Sequence, residues 1–296
     1  MFENASIFIL SEQEGKSSVY RLEVDRDAQT ALGAWFGDAA DRLTRDREQI
    51  AFDGSYKPNP DELLVIEGFR MPETILRAVR DPFSVAPYQK QGESFPPIKA
   101  VFVGSFTEQE EQLCYEIAFQ RFRREQYLST RQINLFFDRN TFRRKEDFGI
   151  GITDGVDALY REGRLLFSSF YYARQIFDLR DYYREATDDE LERFTDHKML
   201  ELEDRERFVK NADTWIRRKI SHIHDSGVLE KYKPEEIVRR ASRVGVSMSA
   251  RDGKLVLPKD KKTVKLVLGF LDEEAYKGVF SGTTYLANSK RTINGK

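Results

Sequence analysis

Apolar positions change their spacing several times along the chain, and each change predicts an element. Ser6–Leu10 and Ser18–Val24 are rich in β-branched and aromatic types, with Val19, Leu22 and Val24 marking the second run. They predict two strands joined by a polar turn, Ser11–Ser17. From Asp25 to Glu48 the period becomes helical. Ala28, Ala31, Leu32, Trp35, Phe36, Ala39 and Leu43 recur at three- and four-residue steps, with Asp27 as the candidate N-cap. Seven of the nine prolines follow between Pro58 and Pro97 and exclude long helices there. A strand at Leu63–Phe69, a short helix at Glu73–Arg80 and an exposed loop at Asp81–Pro97 fit that punctuation. Ile98–Phe106 (IKAVFVGSF) predicts a buried strand. Glu108–Leu128 predicts a helix, because its acidic start and arginine-rich end suit the helix dipole. Ile133–Phe137 predicts a short strand or extended segment.

In the second half, Phe148–Thr153 predicts a strand. Ala158–Tyr160 pairs with Arg164–Ser168 through a Glu162-Gly163 turn. Tyr171–Tyr183 begins a helical region. Arg205–Ser226 reads as one helix with Phe208, Ala212, Trp215, Ile216, Ile220 and Ile223 on one face, ended by Gly227. Pro234–Val244 is a helix with proline in its first turn. Val246–Ala250 and Lys254–Leu257 form a hairpin over Asp252-Gly253. Lys265–Asp272 is a strand or short helix, and Phe280–Ala287 is a last strand. The fold class expected is α+β: a proline-rich mixed sheet-and-helix half, 1–147, and a more helical half with β-hairpins, 148–296. The alternative is a single domain.

Composition narrows the chemistry. The 296 residues suffice for one large domain or two ordinary ones. The formal net charge of -2 gives no global field toward nucleic acid, so such binding would need segregated charge. Cys114 is the single cysteine, which excludes an intrachain disulfide and a cysteine zinc cluster and fits a reducing cytoplasm. Within the helix expected at 108–128 it reads as a small packing residue. The first residues, MFENASIFILSEQEG, lack a basic n-region and read as a strand rather than a signal peptide. No apolar run approaches the ~18–20 residues of a membrane span, so work at a membrane would require a partner.

Familiar catalytic motifs do not complete themselves. Gly15-Lys16-Ser17 resembles the end of a phosphate loop, but Leu10 stands where the earlier glycine belongs, and a strand follows instead of a helix. A polar hairpin turn fits better. Asp61 and Glu67 lack the nuclease-type lysine two residues on, where Phe69 stands. His222 and His224, beside Asp225, are two apart on a helix and do not face each other. They read as exposed residues of a last turn. Phe148-Gly149-Ile150-Gly151-Ile152 lacks the rest of a dinucleotide fingerprint, so its glycines read as close strand packing. No catalytic residue, metal ligand or cofactor is expected.

Charge segregates locally. Arg121, Arg123, Arg124, Arg131, Arg139, Arg143, Arg144 and Lys145 face only Glu125 and Asp138 in the same stretch, a net +6. Phe119, Phe122, Tyr127, Phe136, Phe137 and Phe142 are interleaved. Guanidinium forks suit phosphate oxygens and aromatic faces stack on bases. In the competing reading the aromatics are core and the arginines pair with the acidic run at 178–206, and composition alone favours it. A second basic run, 251–296, is net +5 and ends in Asn288-Ser289-Lys290-Arg291. Lys210, Arg217, Arg218 and Lys219 form a third set.

Several short blocks come in close order: Asp154-Gly155-Val156-Asp157-Ala158-Leu159, Glu162-Gly163-Arg164-Leu165-Leu166-Phe167 and Arg174-Gln175-Ile176-Phe177-Asp178. Gly227-Val228-Leu229, Asp252-Gly253-Lys254-Leu255 and Tyr285-Leu286-Ala287-Asn288-Ser289-Lys290-Arg291 follow. Over Phe119–Ile293 the chain resembles the Kiwa-type KwaB-like family of anti-phage proteins. The resemblance implies a cytoplasmic member of a two-component bacterial defence system. Its partner would be a small integral membrane protein, KwaA, that recruits it to the inner face of the cell membrane. It also implies binding of phage DNA, hindrance of phage replication, and action as a homo-oligomer. It carries over no catalytic residue. On this reading Arg121, Arg123, Arg124, Arg139, Arg143, Arg144 and Lys145 hold duplex phosphates without regard to sequence, with Lys290 and Arg291 as a second set. The alternatives are a cryptic metal-dependent nuclease, and a non-catalytic module whose basic face docks on acidic protein or lipid.

Overall fold

The computed structural model describes residues 2, 5–54, 56–92, 94–109, 112–128, 133–138, 140–145 and 148–287. Contacts divide the chain into two units, residues 1–52 with 58–178, and residues 53–57 with 179–296. The division falls after 178 rather than near 147. The Glu162-Gly163 hairpin, assigned by its sequence to the second half, pairs into the sheet of the first unit and keeps that stretch there.

The first unit contains β1 (Ile7–Gln13), β2 (Lys16–Leu22), α1 (Arg26–Thr44), β3 (Glu48–Ala51), β4 (Glu62–Ile66) and α2 (Glu73–Arg80). It continues with β5 (Ile98–Gln109), β6 (Gln112–Arg121), β7 (Tyr127–Leu128), β8 (Asn134–Asp138), β9 (Thr141–Lys145) and β10 (Gly149–Ile150). Then come β11 (Ala158–Arg161), β12 (Arg164–Phe167) and α3 (Phe170–Ile176). Eight strands form one sheet in the order β2-β1-β5-β6-β11-β12-β4-β3. The β3–β4 pair is parallel and its other neighbours are antiparallel.

Helices cover both faces of this sheet. On one, Phe36, Ala40 and Leu43 of α1 pack with Ile7, Ile9, Val101, Val103, Ala118 and Leu159. On the other, register aligns Phe8, Phe102, Phe119, Ala158 and Phe167 in a row across five strands. Phe8 stacks on Phe102 at 5.0 Å, Phe102 meets Phe119 at 5.3 Å, and Phe177, just after α3, stands edge-on to Phe119 at 4.9 Å. On that face α2 sits so close to β5 that a Cβ at Gly104 would lie 2.5 Å from a Val79 methyl.

Burial on both faces explains the largest departure from the sequence pattern. Glu108–Leu128 is not a helix: β5 extends to Gln109, and Gln112–Arg121 returns as β6 with ten residues in register. Ile117, Ala118, Phe119 and Gln120 are consecutive and all buried, so the in–out alternation that marks a half-buried strand is missing. Cys114 accordingly lies in a strand and is half-buried. The first hairpin turns over Glu14-Gly15, more tightly than the polar stretch predicts, with Gly15 at φ +75°. The cap of α1 is Asp25, whose side chain accepts the Ala28 N–H at 2.8 Å, rather than Asp27.

The second unit contains α4 (Asp188–Thr195), β13 (Leu200–Leu202), α5 (Arg205–Lys210), α6 (Thr214–Ser226), α7 (Val228–Lys231) and α8 (Pro234–Arg243). It ends with β14 (Ser249–Arg251), β15 (Lys254–Leu257), α9 (Lys261–Leu271), β16 (Ala275–Lys277) and β17 (Thr284–Leu286). Its core gathers Leu191, Phe194, Phe208, Ile216, Ile220, Leu255 and Leu268 around a three-stranded sheet ordered β13-β15-β14. The expected single helix 205–226 is two. Asp213 accepts the Ile216 N–H at 3.0 Å and starts a new helix. Lys265–Asp272 lies in a helix, α9, whose own cap is Asp260.

The buried face of α6 also carries Lys219, only 1% exposed. Its ammonium donates to Asp272 Oδ2 at 2.6 Å and to Glu274 Oε1, and His222 Nδ1 lies 3.2 Å from the same Asp272 oxygen. His222 is thus half-buried in an ionic cluster rather than an exposed last-turn residue.

The Gly104 contact gives a direct test of the helix–sheet packing. Gly104→Val should lower the free energy of unfolding by about 1–3 kcal/mol through overpacking. Adding Val79→Ala should recover part of that loss in urea denaturation. Equal loss in the single and double variants would mean that α2 does not set the constraint.

Candidate nucleic-acid interface

The basic stretch begins where β6 ends. Gln120, the last fully buried residue of the strand, binds the loop before β11 from both ends of its amide. Its Nε2 donates to the carbonyls of Thr153 at 2.7 Å and Gly155, and its Oε1 accepts the Thr153 N–H at 3.0 Å. Gln126 adds a bond to the Gly151 carbonyl at 2.7 Å. The loop so held delivers Asp157 to Arg121. The Arg121 backbone N–H donates to Asp157 Oδ2 at 2.8 Å, and its Nε lies 3.5 Å from Oδ1. The guanidinium stacks 3.7 Å from the centre of the Tyr172 ring, and Nη1 lies 3.4 Å from Gln175 Oε1. Arg121 is therefore committed to a carboxylate and an aromatic face inside its own unit, not to the acidic run at 178–206.

That acidic run is matched by arginines of its own unit. Arg184 binds Glu190 at 2.6 Å and Asp225, Arg217 binds Asp188 at 2.6 Å, and Arg205 binds Asp196 at 3.1 Å. Three of the four members of the third basic set are likewise structural, while Lys210 is exposed. Besides Arg217 and buried Lys219, Arg218 donates to the Gly54 carbonyl. From the second basic run, Lys261 and Lys265 both lie against Asp213, at 3.0 and 3.3 Å.

The rest of the stretch has a different setting. Arg123 and Arg124 are exposed around a short 3-10 turn, Arg124–Gln126. β8 and β9 then pair only with each other, outside the large sheet. Across this ribbon Leu135 faces Arg144, Phe136 faces Arg143, and Phe137 faces Phe142. Because side chains alternate along a strand, Arg143 and Arg144 point to opposite faces. Both are exposed, as are Leu135, Phe137 and Phe142. Phe137 and Phe142, each 65% exposed, meet at 5.2 Å near the turn. Phe119 is core, while Phe122 and Tyr127 pack partly buried against the sheet. The structure thus splits the run that looks uniform in sequence into a half-buried arginine held by Asp157 and Tyr172, an exposed turn and a separate two-stranded ribbon. Lys145 ends β9, in register with Asn134. Arg131, Arg139, Lys290 and Arg291 lie outside the described residues.

The other candidate chemistry stays apart. Gly15-Lys16-Ser17 is the β1–β2 turn. His197 lies 3.4 Å from Glu230 and His224 lies 3.3 Å from Asp225, each in its own pair. Among the described residues no three His, Cys, Asp or Glu side chains gather as a metal site would require. Sequence reasoning missed Gln120, Asp157 and Tyr172. Asp157 lay within a quoted block, but its partner sits 36 residues earlier and only strand register joins them.

The family model described as Kiwa protein KwaB-like matches residues 101–280, more than half of the chain. No curated protein and no solved structure matches it. Among the described residues no helix is long and apolar enough to cross a membrane.

Burial holds the Asp157 carboxyl above its ordinary value of 3.8, against the pull of the Arg121 N–H and charge. The native state then keeps a proton that the unfolded chain has released. Stability contributed by Asp157 should fall as pH rises from 3.8 through the native value. Asp157→Asn should flatten that slope in denaturation curves taken across the window. A slope that persists in the variant would assign it to another group.

Proposed function

The chain belongs to the Kiwa KwaB-like family, which places it in anti-phage defence, and from that premise we propose that it binds duplex DNA independently of sequence through the β8–β9 ribbon. The observation that carries this reading is a two-stranded element separate from the large sheet, with one exposed arginine on each face. Strands of five residues span roughly 17 Å, and the major groove, about 12 Å wide, admits a two-stranded ribbon. A ribbon entering edge-on turns one face toward each phosphate wall, so Arg143 and Arg144, on opposite faces, would address both strands. Arg123 and Arg124 extend the contact, and by sequence Arg139 and Lys145 join it. Arg121 is left out, because its guanidinium holds Asp157 and Tyr172. None of these residues forms a pattern that would read base edges, which agrees with phosphate-dominated binding. In this reading the integral membrane partner, KwaA, holds an oligomer of the chain at the inner face of the membrane, and bound phage DNA is withheld from replication.

A second reading draws on the apolar side of the same ribbon. Leu135, Phe137 and Phe142 are all more than half exposed, which suits a blade that docks on the protein partner instead. Phe137→Ser with Phe142→Ser would then abolish capture of KwaA while leaving DNA affinity intact.

Neutralising Arg143, Arg144 and Lys145 together should weaken binding to every duplex sequence alike. The slope of log affinity against log salt should shrink by about 2–3. Fluorescence anisotropy titrations at several salt concentrations, with thermal melts as a check on folding, measure both. Unchanged affinity and slope in a folded triple variant would remove the ribbon from the DNA interface.

A further inference from the structure

The β16–β17 hairpin carries a feature that DNA binding does not use. At its tip Val279 is 92% exposed and Phe280 104% exposed, two adjacent apolar side chains that touch almost nothing of the protein. The tip is nonetheless built. The Gly278 N–H donates to the Thr283 carbonyl at 2.9 Å, the Gly282 N–H donates to the Gly278 carbonyl at 2.9 Å, and the Thr283 N–H donates to Ser281 Oγ at 3.2 Å. Gly282 turns the chain at φ +65°. Behind the tip Tyr276 and Tyr285 stack at 5.5 Å, both about half exposed. The root is fixed as well. The Ala287 N–H donates to the Glu274 carbonyl at 2.8 Å, the Glu274 carboxylate binds buried Lys219, and Thr284 Oγ1 donates to the Val244 carbonyl at 2.6 Å.

The order from tip to root is apolar, then aromatic with hydroxyls, then anchored. This is the order in which a bilayer presents acyl chains, the interfacial layer and water. Charge agrees with an anionic surface. From Ala275 to Leu286 the hairpin holds Lys277 and no Asp or Glu. Shape argues against a protein occupant. A stable protein interface needs roughly 800 Å² per partner, and a convex tip with two apolar side chains offers far less. A fluid bilayer conforms around such a tip.

We infer that the β16–β17 hairpin is a direct lipid contact, with Val279 and Phe280 entering the headgroup–acyl boundary of an anionic membrane and Tyr276 and Tyr285 at its polar edge. The inference does not depend on the DNA reading. It makes the chain itself a membrane-surface binder, beside whatever a protein partner contributes.

Flotation of the full chain with vesicles tests it, using phosphatidylcholine alone and phosphatidylcholine mixed with phosphatidylglycerol. The wild type should float with the anionic vesicles and less with the neutral ones. Val279→Ser with Phe280→Ser should lower the bound fraction by about tenfold or more, since the burial of two apolar side chains is lost. Its melting temperature should not change, because neither side chain is buried. Absence of flotation with anionic vesicles, or equal flotation of the double variant, overturns the proposal. So does a wild type that leaves vesicles untouched while self-associating in a way the double variant abolishes, because the occupant of the tip is then a second copy.

Discussion

Burial of Ala100–Gly104 in β5 and Ile117–Gln120 in β6 on both faces is the constraint from which the first unit follows. These stretches, flanked by other strands and covered above and below, have no solvent side. Their side chains must therefore be apolar or fully bonded. The row Phe8–Phe102–Phe119–Ala158–Phe167 meets that demand on one face, and the α1 contacts meet it on the other. The demand ends at the last residues of β6. Gln120 is still buried and must find partners for its amide, which it does on the loop before β11. Arg121 is the first charge after it and is matched by Asp157 and Tyr172. The edge of the cover thus decides which cation is structural and which are left to the surface.

The second unit solves a harder version of the same problem. Lys219, Asp272 and Glu274 are all buried, and a buried ion pair rarely gains much over well-packed apolar residues. Glu274 Oε2 makes no hydrogen bond, so the cluster is not fully compensated. What it does provide is geometry. It joins the middle of α6 to the end of α9 and the start of β16, and so fixes the direction in which the last hairpin leaves the core. An apolar replacement could supply cohesion but not that directional tie, and a hairpin whose tip touches nothing depends on its root for orientation.

Turn and cap chemistry made much of this fold legible in the sequence. The helix at Glu73–Arg80, the hairpins over Glu162-Gly163 and Asp252-Gly253, and the stop at Gly227 all follow from residues whose backbone preferences are local. The strand β6 was not legible, for two physical reasons. Burial on both faces erases alternation, and an acidic start with an arginine-rich end imitates a helix dipole pattern. The site was less legible. Composition alone favours pairing of Arg143 and Arg144 with the acidic run, whereas both are exposed on the ribbon. That Arg121 is held by Asp157 and Tyr172 depends on the register of β6 against β11, which no local signal encodes. Val279 and Phe280 escaped notice because two neighbouring apolar residues near a predicted strand look like core, and only their exposure reveals otherwise.

The β8–β9 and β16–β17 hairpins are similar elements that distribute charge and apolar surface differently. Both are two-stranded, stand apart from larger sheets and expose aromatic rings. They differ in where the charge lies. On β8–β9 the exposed arginines, Arg143 and Arg144, are adjacent on one strand, one on each face, toward the end away from the turn. On β16–β17 the strands and turn between Ala275 and Leu286 carry one lysine, and the apolar side chains are gathered at the end. Phosphates reward exposed charge, because each contact releases its own counterion. Bilayers reward apolar depth at one point, because gain grows with the area that leaves water. The placement of charge relative to the tip, rather than the number of aromatic residues, is what separates the two.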